Sequence, residues 1–283
     1  MSIELTKKFA PYTDEAFKEE SKISLLTNQD FDWTGAHTVA IWKISTVALS
    51  DYARNRTGIE EDASLSRYGV LKDLNAQTEE MILSKDRSFI FNVDKLDEDE
   101  TAGQVAAASA LSRELREVVI PEVDTYVYTK MTAGAGTTAE AAALTKANIY
   151  DAILTGSEVM DNAEVPDTDR VIVVPPDVYK LLKQADVFDN TEVAAEMRRL
   201  GVVGTIDGCQ VVKVPANRLP EHFGFMIAHP SATVAPVKLE DYGTHNDTPL
   251  SSGTIVTGRI CYDCFVMDNK KMGIYYYPTG QGT

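Results

Sequence analysis

Apolar residues are sparse in the first 30 residues of the chain and follow no sustained period. A segment of this kind cannot bury a face of its own, so 1–30 is predicted to be an arm that lies on another surface. The pattern changes in 31–52, where β-branched residues stand among Thr and Ser. Such a run favours a strand, which is predicted over Phe31–Leu49.

The next segment, 53–92, is mostly polar, and little of it could face a core. In Tyr68–Leu74 and again in Phe89–Val93, alternate residues form two sets, as the two faces of a strand do. This predicts two strands joined by a long excursion. A two-stranded ribbon is only marginally stable in water. The segment is therefore expected to be a projecting hairpin that packs on a neighbouring subunit. A polar loop folded back on its own domain is the alternative.

A helix is predicted to begin at Thr101, because Gln104 follows it at the spacing of a capping box. Four acids, Asp97–Glu100, precede it and lie favourably near the positive helix end. Apolar residues then recur at steps of three or four up to Ile120, which predicts an amphipathic helix about 30 Å long. Pro121 is expected to end or kink this helix.

Helical and strand patterns alternate after the glycines at 134 and 136, which is typical of an α/β domain. The predicted elements are helix Thr137–Asp161, strand Arg170–Val174, helix Asp177–Gln184, helix Glu192–Leu200, strand Gln210–Val214 and strand Phe223–His229. A β-rich tail over Thr254–Tyr277 follows, turned at Asp268 and Asn269. Taken together, the elements predict an α+β fold.

The charge balance narrows the possible functions. The 283 residues include 43 acids and 27 bases, for a net charge of -16, which repels nucleic acid and anionic lipid over most of the surface. Phosphate binding is therefore not expected as the main function. The first 20 residues lack the apolar stretch of a secretory signal, and no window resembles the roughly 18 apolar residues of a spanning helix. We expect a cytosolic protein without a membrane partner.

One glycine pattern resembles a cofactor motif. Gly134, Gly136 and Ala139 form a G-x-G-x-x-A between an apolar stretch and a predicted helix, as a dinucleotide-binding turn would. Such a unit needs an acid at the end of a second strand about 20 residues on. Here that distance falls within or just after the helix, near Glu158 and Asp161. A dinucleotide-binding enzyme is kept as an alternative only.

The other candidate ligands lack the spacing that a metal or a catalytic group requires. Cys261 and Cys264 form a C-x-x-C without a second pair, so we expect two packed thiols, and with Cys209 they are too few for a disulfide framework. The acid run Asp97–Glu100 is interpreted as charge at a helix start. The histidines show no metal-ligand spacing: they are His37, His222, His229 and His245. The sequence predicts no catalytic, cofactor-binding or metal-binding residue and no cofactor.

Three stretches together resemble the tailed-phage major capsid family. FDWTGAHTVAIWKISTVALSDY at 31–52 is similar to the strand that enters the extended loop of that family. SKDRSFIFNVDKLDEDETAG at 84–103, with VVIPEVDTYVY at 118–128, is similar to its return strand and long spine helix. GVVGTIDGCQVVKVP at 201–215, with YDCFVMDNKKMGIYYYP at 262–278, is similar to its late axial-domain strands and closing tail.

The resemblance implies a division of the chain into the parts of a capsid subunit. The expected parts are an N-terminal arm at 1–30, a peripheral-domain strand at 31–52, an extended hairpin loop at 53–92, the peripheral domain with its spine helix at 93–131, an α/β axial domain at 132–250 and a closing tail at 251–283. It also implies a function. The chain would be a structural, non-enzymatic subunit that self-assembles through hexamers and pentamers into an icosahedral phage head.

Further partners and locations follow from the same resemblance. The head would enclose packaged double-stranded DNA without sequence-specific binding, and scaffolding, portal and decoration proteins would be further partners. The subunit would assemble in the host cytoplasm and reside in the virion. The hairpin would lie over an adjacent subunit and the arm would strap onto another. Candidates for inter-subunit ion pairs, each contributing about 0–1 kcal/mol, are Arg54, Arg56, Glu60, Glu61 and Lys72.

Other functions remain open at this point. An encapsulin-type nanocompartment shares the fold and would house a cargo enzyme instead of a genome. A dinucleotide-binding enzyme would use Gly134, Gly136 and Ala139. An adhesin or decoration protein would lack the contact between the hairpin and a neighbour.

Overall fold

The structure of the chain, a computed structural model, describes residues 21–28, 38–44, 49, 51–52, 54, 68, 76–94, 113–186, 202–246 and 253–280. The chain divides into two compact units. Trp33–Leu83 forms one unit, called the hairpin unit below. Met1–Asp32 and Ser84–Thr283 together form the other, called the body.

The hairpin unit contains strands β1, Thr38–Ile44, and β2, Ala76–Ile82. They pair antiparallel in unbroken register, from Thr38 opposite Ile82 to Ile44 opposite Ala76. The first strand was predicted within Phe31–Leu49 and is confirmed. The strand predicted at Tyr68–Leu74 falls outside the described residues except for Tyr68, and the partner of β1 lies further along the chain. Residues 76–82 are too polar to reveal that strand by their own period.

Strands in the described part of the body are β3 Lys85–Asp94, β4 Thr137–Thr138, β5 Val171–Val174, β6 Val202–Ile206, β7 Cys209–Lys213, β8 Phe223–Ala228, β9 Thr233–Val234, β10 Val237–Asn246, β11 Gly253–Tyr262, β12 Phe265–Val266 and β13 Ile274–Pro278. Six form a mixed sheet in the order β4-β13-β8-β5-β7-β6. β10, β11 and β3 form an antiparallel sheet in that order, and β9 pairs with β12.

Helices α1 Ile120–Ala133, α2 Ile149–Asn162 and α3 Pro176–Ala185 cover the six-stranded sheet. Within the described residues, buried apolar side chains form two clusters, one on each face of that sheet. On β5, Val171 and Val173 join the cluster of α1, whereas Ile172 and Val174 join the cluster of α2 and α3. Successive strand residues point to opposite faces, so a strand covered on both sides is apolar throughout. The predicted α+β fold class is confirmed.

Pro121 does not end the helix that precedes it. Residues 113–133 are helical without interruption, although a π-helical turn, Leu115–Val119, replaces the regular spacing just before the proline. In that turn the Ile120 N–H donates to the Leu115 carbonyl, five residues back. Pro121, which has no N–H to donate, follows this turn closely, and the changed hydrogen-bond spacing lets the helix continue through the proline. The predicted start at Thr101 lies outside the described residues.

The helix predicted over Thr137–Asp161 begins only at Ile149, so this prediction was wrong in its first half. The Ala139 N–H donates to the Tyr276 carbonyl at 2.9 Å, and β4 pairs in parallel with β13. Backbone groups used in a sheet edge are not available for a helix. The Asn148 side chain then accepts from the Thr145 N–H at 2.7 Å just before α2 begins.

The other axial-domain elements agree closely with the sequence pattern. The predicted strands near 170, 210 and 223 are β5, β7 and β8, and the predicted helix near 177 is α3. The predicted turn at Asp268 is a 3-10 helix, Asp268–Gly273. β10 was not predicted, because its sequence is polar and contains a glycine. The helix predicted at Glu192–Leu200 lies outside the described residues.

Candidate functional site

The three-stranded sheet and the helix over 113–133 form a layer, called the helix–sheet layer below. The Lys85 ammonium of β3 lies 5.3 Å from the centroid of the Tyr126 ring on α1, whereas Phe89 lines a cleft with Glu114 and Val118. β3 therefore runs antiparallel to the helix. One face of the sheet packs against the helix through Ile260 and other apolar residues of its core cluster.

Close packing between β3 and β11 depends on a glycine. Gly258 lies opposite Phe89 in the register, and a Cβ at position 258 would approach the Phe89 ring far inside contact distance. The ring therefore covers the glycine directly, and Phe89 also stacks on Phe91 with centroids 6.3 Å apart. This contact fixes the register of the strand that leads away from the hairpin unit.

Substituting Gly258→Ala is expected to lower the free energy of unfolding of the subunit by about 1–3 kcal/mol, because the added methyl displaces the Phe89 ring. Urea unfolding followed by circular dichroism measures the change. Gly243→Ala on β10 is the matched control, since its Cβ would meet the tip of the His245 ring at 3.0 Å, and that side chain can move. Equal unfolding midpoints for the two variants would contradict the close contact.

Asp263 anchors the first residues of β3. Its carboxylate accepts hydrogen bonds from the Ser84 N–H at 2.9 Å, the Tyr126 hydroxyl at 2.9 Å and the Cys264 N–H at 2.7 Å. Burial alone would raise the pKa of the Asp263 carboxyl, but the hydrogen bonds from Ser84, Cys264 and Tyr126 outweigh it and lower that pKa. Since Ser84 is the first residue of the body after the hairpin unit, Asp263 fixes the point at which the chain enters the body.

Replacing Asp263 by asparagine is expected to lower the stability of the folded chain by about 1–3 kcal/mol at pH 7, because the charge that strengthens these hydrogen bonds is lost. The wild-type carboxylate stabilises the fold above its unfolded pKa of 3.8, and this contribution disappears as the pH falls through the lower folded pKa. The difference between wild type and Asp263→Asn should therefore shrink below about pH 3.8. Urea titrations between pH 7 and pH 3 measure it, and a difference that grows in acid would contradict the anchor.

A second hydrogen-bond network is centred on Glu122, one helical turn before Tyr126 on α1. The Tyr262 hydroxyl donates to Glu122 Oε1 at 2.9 Å, and Arg87 Nε contacts the same oxygen at 2.9 Å. Burial and the Glu122 carboxylate raise the pKa of Tyr262 to about 12, so its hydroxyl remains a donor. On the opposite face of the sheet, Arg259 forms a bidentate ion pair with Asp86, with Nε donating at 2.9 Å.

Two lysines lie at the end of the helix–sheet layer that contains Tyr126. The Lys85 and Lys130 ammonium groups lie 5.3 Å and 5.5 Å from the centroid of the Tyr126 ring, and both side chains are exposed. They stand beside an open cleft of about 410 Å³. Its lining residues are Lys85, Glu122, Thr125, Tyr126, Thr129 and Tyr262.

Residues 21–28 pack against the rest of the body beside a buried ion pair, Asp124–Arg218. Asp124 of α1 accepts from the Ser21 hydroxyl at 2.7 Å and from Arg218 Nη1 at 2.9 Å. Asp124 and Arg218 are only 2% and 4% exposed. Lys22 Nζ donates to the Lys213 carbonyl at 2.6 Å, and Leu26 is fully buried. Burial raises the pKa of the Asp124 carboxyl, although the Ser21 hydrogen bond and the Arg218 charge act in the opposite direction.

This docking corrects the predicted arm over part of its length. The sequence pattern predicted that 1–30 lies on another surface, but 21–28 pack against the core of their own chain. Ile23 and Leu26, three residues apart, enter that core together. Two apolar residues are too few to form a period, so only the tertiary structure shows where they go. Residues 1–20 lie outside the described residues.

The candidate residues that fall in the described part of the chain are not brought together into a reactive centre. Of the candidates for inter-subunit ion pairs, Arg54 is exposed, while Arg56, Glu60, Glu61 and Lys72 lie outside the described residues, as do His37 and the run Asp97–Glu100. His229 Nδ1 contacts the Ser231 hydroxyl at 2.7 Å and accepts from the Ser231 N–H, so it caps a turn. No group of three or more His, Cys, Asp or Glu in the described ranges is arranged to hold a metal ion.

The glycines at 134 and 136 serve packing. A Cβ at Gly136 would lie inside contact distance of the Lys271 carbonyl, and the Gly136 N–H donates to that carbonyl at 2.9 Å. An edge strand follows them in place of the helix start that a dinucleotide-binding turn requires. Cys261 and Cys264 are buried thiols that form no disulfide, as expected, and burial raises the pKa of Cys264 to about 12.

Sequence reasoning missed the residues that hold the layer together, above all Asp124 and Asp263. A usable signal existed for Asp124. It lies on the same helix face as Val127, Tyr128 and Met131, all fully buried, and an acid on such a face implies a buried partner.

None of the helices in the described ranges is long and apolar enough to cross a membrane.

Comparison with known proteins gives the family. The sequence profile of the family described as phage capsid protein matches residues 78–276. The fold is similar to a solved chain of Mycobacterium phage Che8, with a TM-score of 0.71, 18% identity and 98% of each chain covered. It is also similar to the capsid of cyanophage P-SCSP1u, with a TM-score of 0.70, 14% identity, and 98% of this chain and 93% of that chain covered.

A virus-like particle from Pyrococcus furiosus shares the fold more distantly, with a TM-score of 0.54, 8% identity and 91% of each chain covered. No functionally curated protein is detectably similar in sequence. At such low identities the structural likenesses show the fold. The family profile, however, spans more than two thirds of the chain. The chain therefore belongs to the phage capsid protein family and is a structural shell subunit of a phage head.

Proposed function

We propose that this subunit self-assembles through hexamers and pentamers into a closed icosahedral shell that encloses packaged double-stranded DNA. The hairpin unit carries the proposal. β1 and β2 form a two-stranded sheet that no other strand joins among the described residues. Such a ribbon is only marginally stable in water, so it is expected to pack on a neighbouring copy.

Exposed apolar side chains in the hairpin unit support the same conclusion. Leu49, Tyr52 and Tyr68 are 103%, 51% and 78% exposed in the single chain. The Tyr52 and Tyr68 rings meet edge to face with centroids 5.1 Å apart, so they present a joint aromatic surface. Exposed apolar groups of this kind typically mark surfaces that bind another protein.

The net charge of -16 supports enclosure of DNA without sequence-specific binding, because a strongly acidic subunit is repelled by phosphates over most of its surface. Assembly is proposed to take place in the host cytoplasm, with a scaffolding protein, a portal and decoration proteins as further partners. The 1–20 part of the arm is proposed to strap onto another subunit.

The sequence left an encapsulin-type nanocompartment open as an alternative. The phage capsid family profile over 78–276 favours a phage head. The two differ in contents, since one holds a cargo enzyme and the other a genome.

Expression of the chain alone and with a scaffolding protein, followed by sedimentation and negative-stain electron microscopy, tests the proposal. We expect closed particles tens of nanometres across. Nuclease-protected DNA in particles taken from infected cells would support a phage head, whereas a stoichiometric cargo enzyme would support the nanocompartment. A chain that stays small under both conditions would contradict shell assembly.

A further inference from the structure

Lys85 and Lys130 approach the same aromatic ring from two different elements of the body. Lys85 is the first residue of β3, and Lys130 lies in the last turn of α1. Their ammonium groups lie 5.3 Å and 5.5 Å from the centroid of the Tyr126 ring, so they are at most about 11 Å apart. An anion placed between them would be attracted by both charges.

Both charges lack an acidic partner. Among the residues that the structure describes, neither ammonium group forms a hydrogen bond or an ion pair, although the chain carries 43 acids. The C-terminal end of a helix attracts a cation, which accounts for Lys130. It does not account for Lys85, which lies on a strand. The two exposed charges are therefore available to a ligand from outside the chain.

The other polar groups of the cleft beside these lysines are already engaged. The Glu122 carboxylate accepts from the Tyr262 hydroxyl and contacts Arg87, so its charge is balanced by a base other than the two lysines. The two threonines of the lining, Thr125 and Thr129, donate their hydroxyls to carbonyls of their own helix at 2.8 Å and 2.7 Å. Of the lining residues, the two lysines therefore supply the donors for a ligand.

The composition of the lining favours a polyanion over a protein side chain. The cleft is open, and its lining residues are lysines, threonines, tyrosines and one glutamate, without an aliphatic residue among them. Protein interfaces are centred on apolar or aromatic anchors that enter a desolvated pocket. An ammonium group instead binds phosphate as a point charge. Duplex DNA carries one phosphate per about 1.7 Å of its axis, so a single duplex can reach both ammonium groups.

We propose that the cleft beside Lys85 and Lys130 binds phosphate groups of the DNA that the shell encloses. The inference rests on the proposed function, which brings DNA close to the shell wall. Phosphate contacts carry no sequence information, so they agree with enclosure of DNA without sequence-specific binding. On a chain with a net charge of -16, contacts limited to this cleft attach the DNA at separate points while the rest of the surface repels it.

Binding of a short DNA duplex to the unassembled subunit at low salt tests the cleft. The variant Lys85→Gln/Lys130→Gln is expected to weaken binding at least about tenfold. It should also make the dependence of log K on log salt shallower by about 1.8, because two phosphate contacts are lost. Fluorescence anisotropy of a labelled duplex measures both values, and melting curves show whether the variant still folds.

Lys180→Gln/Lys183→Gln is the matched control. It removes the same charge from exposed lysines of α3, and Lys183 also stands over a ring, that of Tyr179 at 5.7 Å. We expect its affinity for the duplex to lie within about twofold of wild type. An equal loss of affinity in both variants would overturn the cleft, as would a wild-type subunit that binds no duplex. Either result would leave particle assembly, and with it the shell function, standing.

Lysine acetylation followed by mass spectrometry identifies the ligand in the shell. We expect Lys85 and Lys130 to be at least about threefold less reactive in DNA-filled particles than in the same particles after their DNA is released and digested. Lys180 and Lys183 should not change. Equal reactivity of Lys85 and Lys130 in filled and emptied particles would overturn the proposal, and equally low reactivity would assign the cleft to carboxylates of a neighbouring subunit. Wild-type protein that forms no particles would remove the shell function and, with it, enclosed DNA as the ligand.

Discussion

Deleting the excursion between β1 and β2 is expected to abolish particle assembly while the subunit still folds. Ile44 and Ala76 are cross-strand partners at the end of the ladder. Replacing residues 45–75 by Asn-Gly would therefore join the two strands through a two-residue turn of the type that suits twisted strands. The variant keeps both strands and loses the exposed surface formed by Leu49, Tyr52 and Tyr68.

Sedimentation and circular dichroism separate the two effects. We expect a monomeric chain with a wild-type melting curve and no closed particles at concentrations where the wild type assembles. A milder change, Tyr52→Ser/Tyr68→Ser, should raise the assembly concentration without removing assembly. Tyr150→Ser is the matched control, because Tyr150 is 42% exposed in the body. Full assembly of the shortened chain would show that the excursion is dispensable.

Asp124→Ala is expected to have the largest effect on the folded chain, a loss of about 3–5 kcal/mol in the free energy of unfolding. The change removes the carboxylate that faces Arg218, whose side chain is 5% exposed, and so leaves a guanidinium charge buried without that counter-charge. It also removes the acceptor of the Ser21 hydroxyl. Urea unfolding of the unassembled subunit measures the loss.

The double variant Asp124→Leu/Arg218→Met separates the ion pair from its surroundings. Replacing both charges by apolar groups should cost much less than the sum of the single changes, because neither buried charge then remains. Asp124→Ala should also expose the bonds near residues 21–28 to limited proteolysis, whereas Lys180→Glu should not. A cost below about 1 kcal/mol for Asp124→Ala would contradict the buried pair.

Local sequence patterns predicted the helices and strands whose own side chains are buried in a regular way. Burial on both faces leaves a continuous apolar run, which predicted β5, and burial on one face leaves a helical period, which predicted α3. β10 left no such period, because ladder hydrogen bonds to β11 determine it. The false helix start at Thr137 has the same origin, since pairing of β4 with β13 overrides helix propensity there.

The functional features also include some that the sequence predicted and some that only the structure shows. The resemblance to capsid proteins came from the order of elements, and the family match confirms it. The anchors Asp124 and Asp263 join segments more than 90 residues apart in sequence, as in the pair of Arg218 with Asp124. A local pattern can indicate that a buried partner exists, as for Asp124, but it does not say which distant residue that partner is. The open cleft beside Lys85 and Lys130 likewise becomes visible only when β3 is placed antiparallel to α1.

A cryo-electron microscopy map of the assembled particles is the most direct test of the shell function. We expect a closed icosahedral shell in which the β1–β2 excursion of each subunit lies on the body of an adjacent subunit. A protein that stays monomeric with and without a scaffolding protein, or a map in which every excursion folds back on its own body, would contradict the proposed assembly.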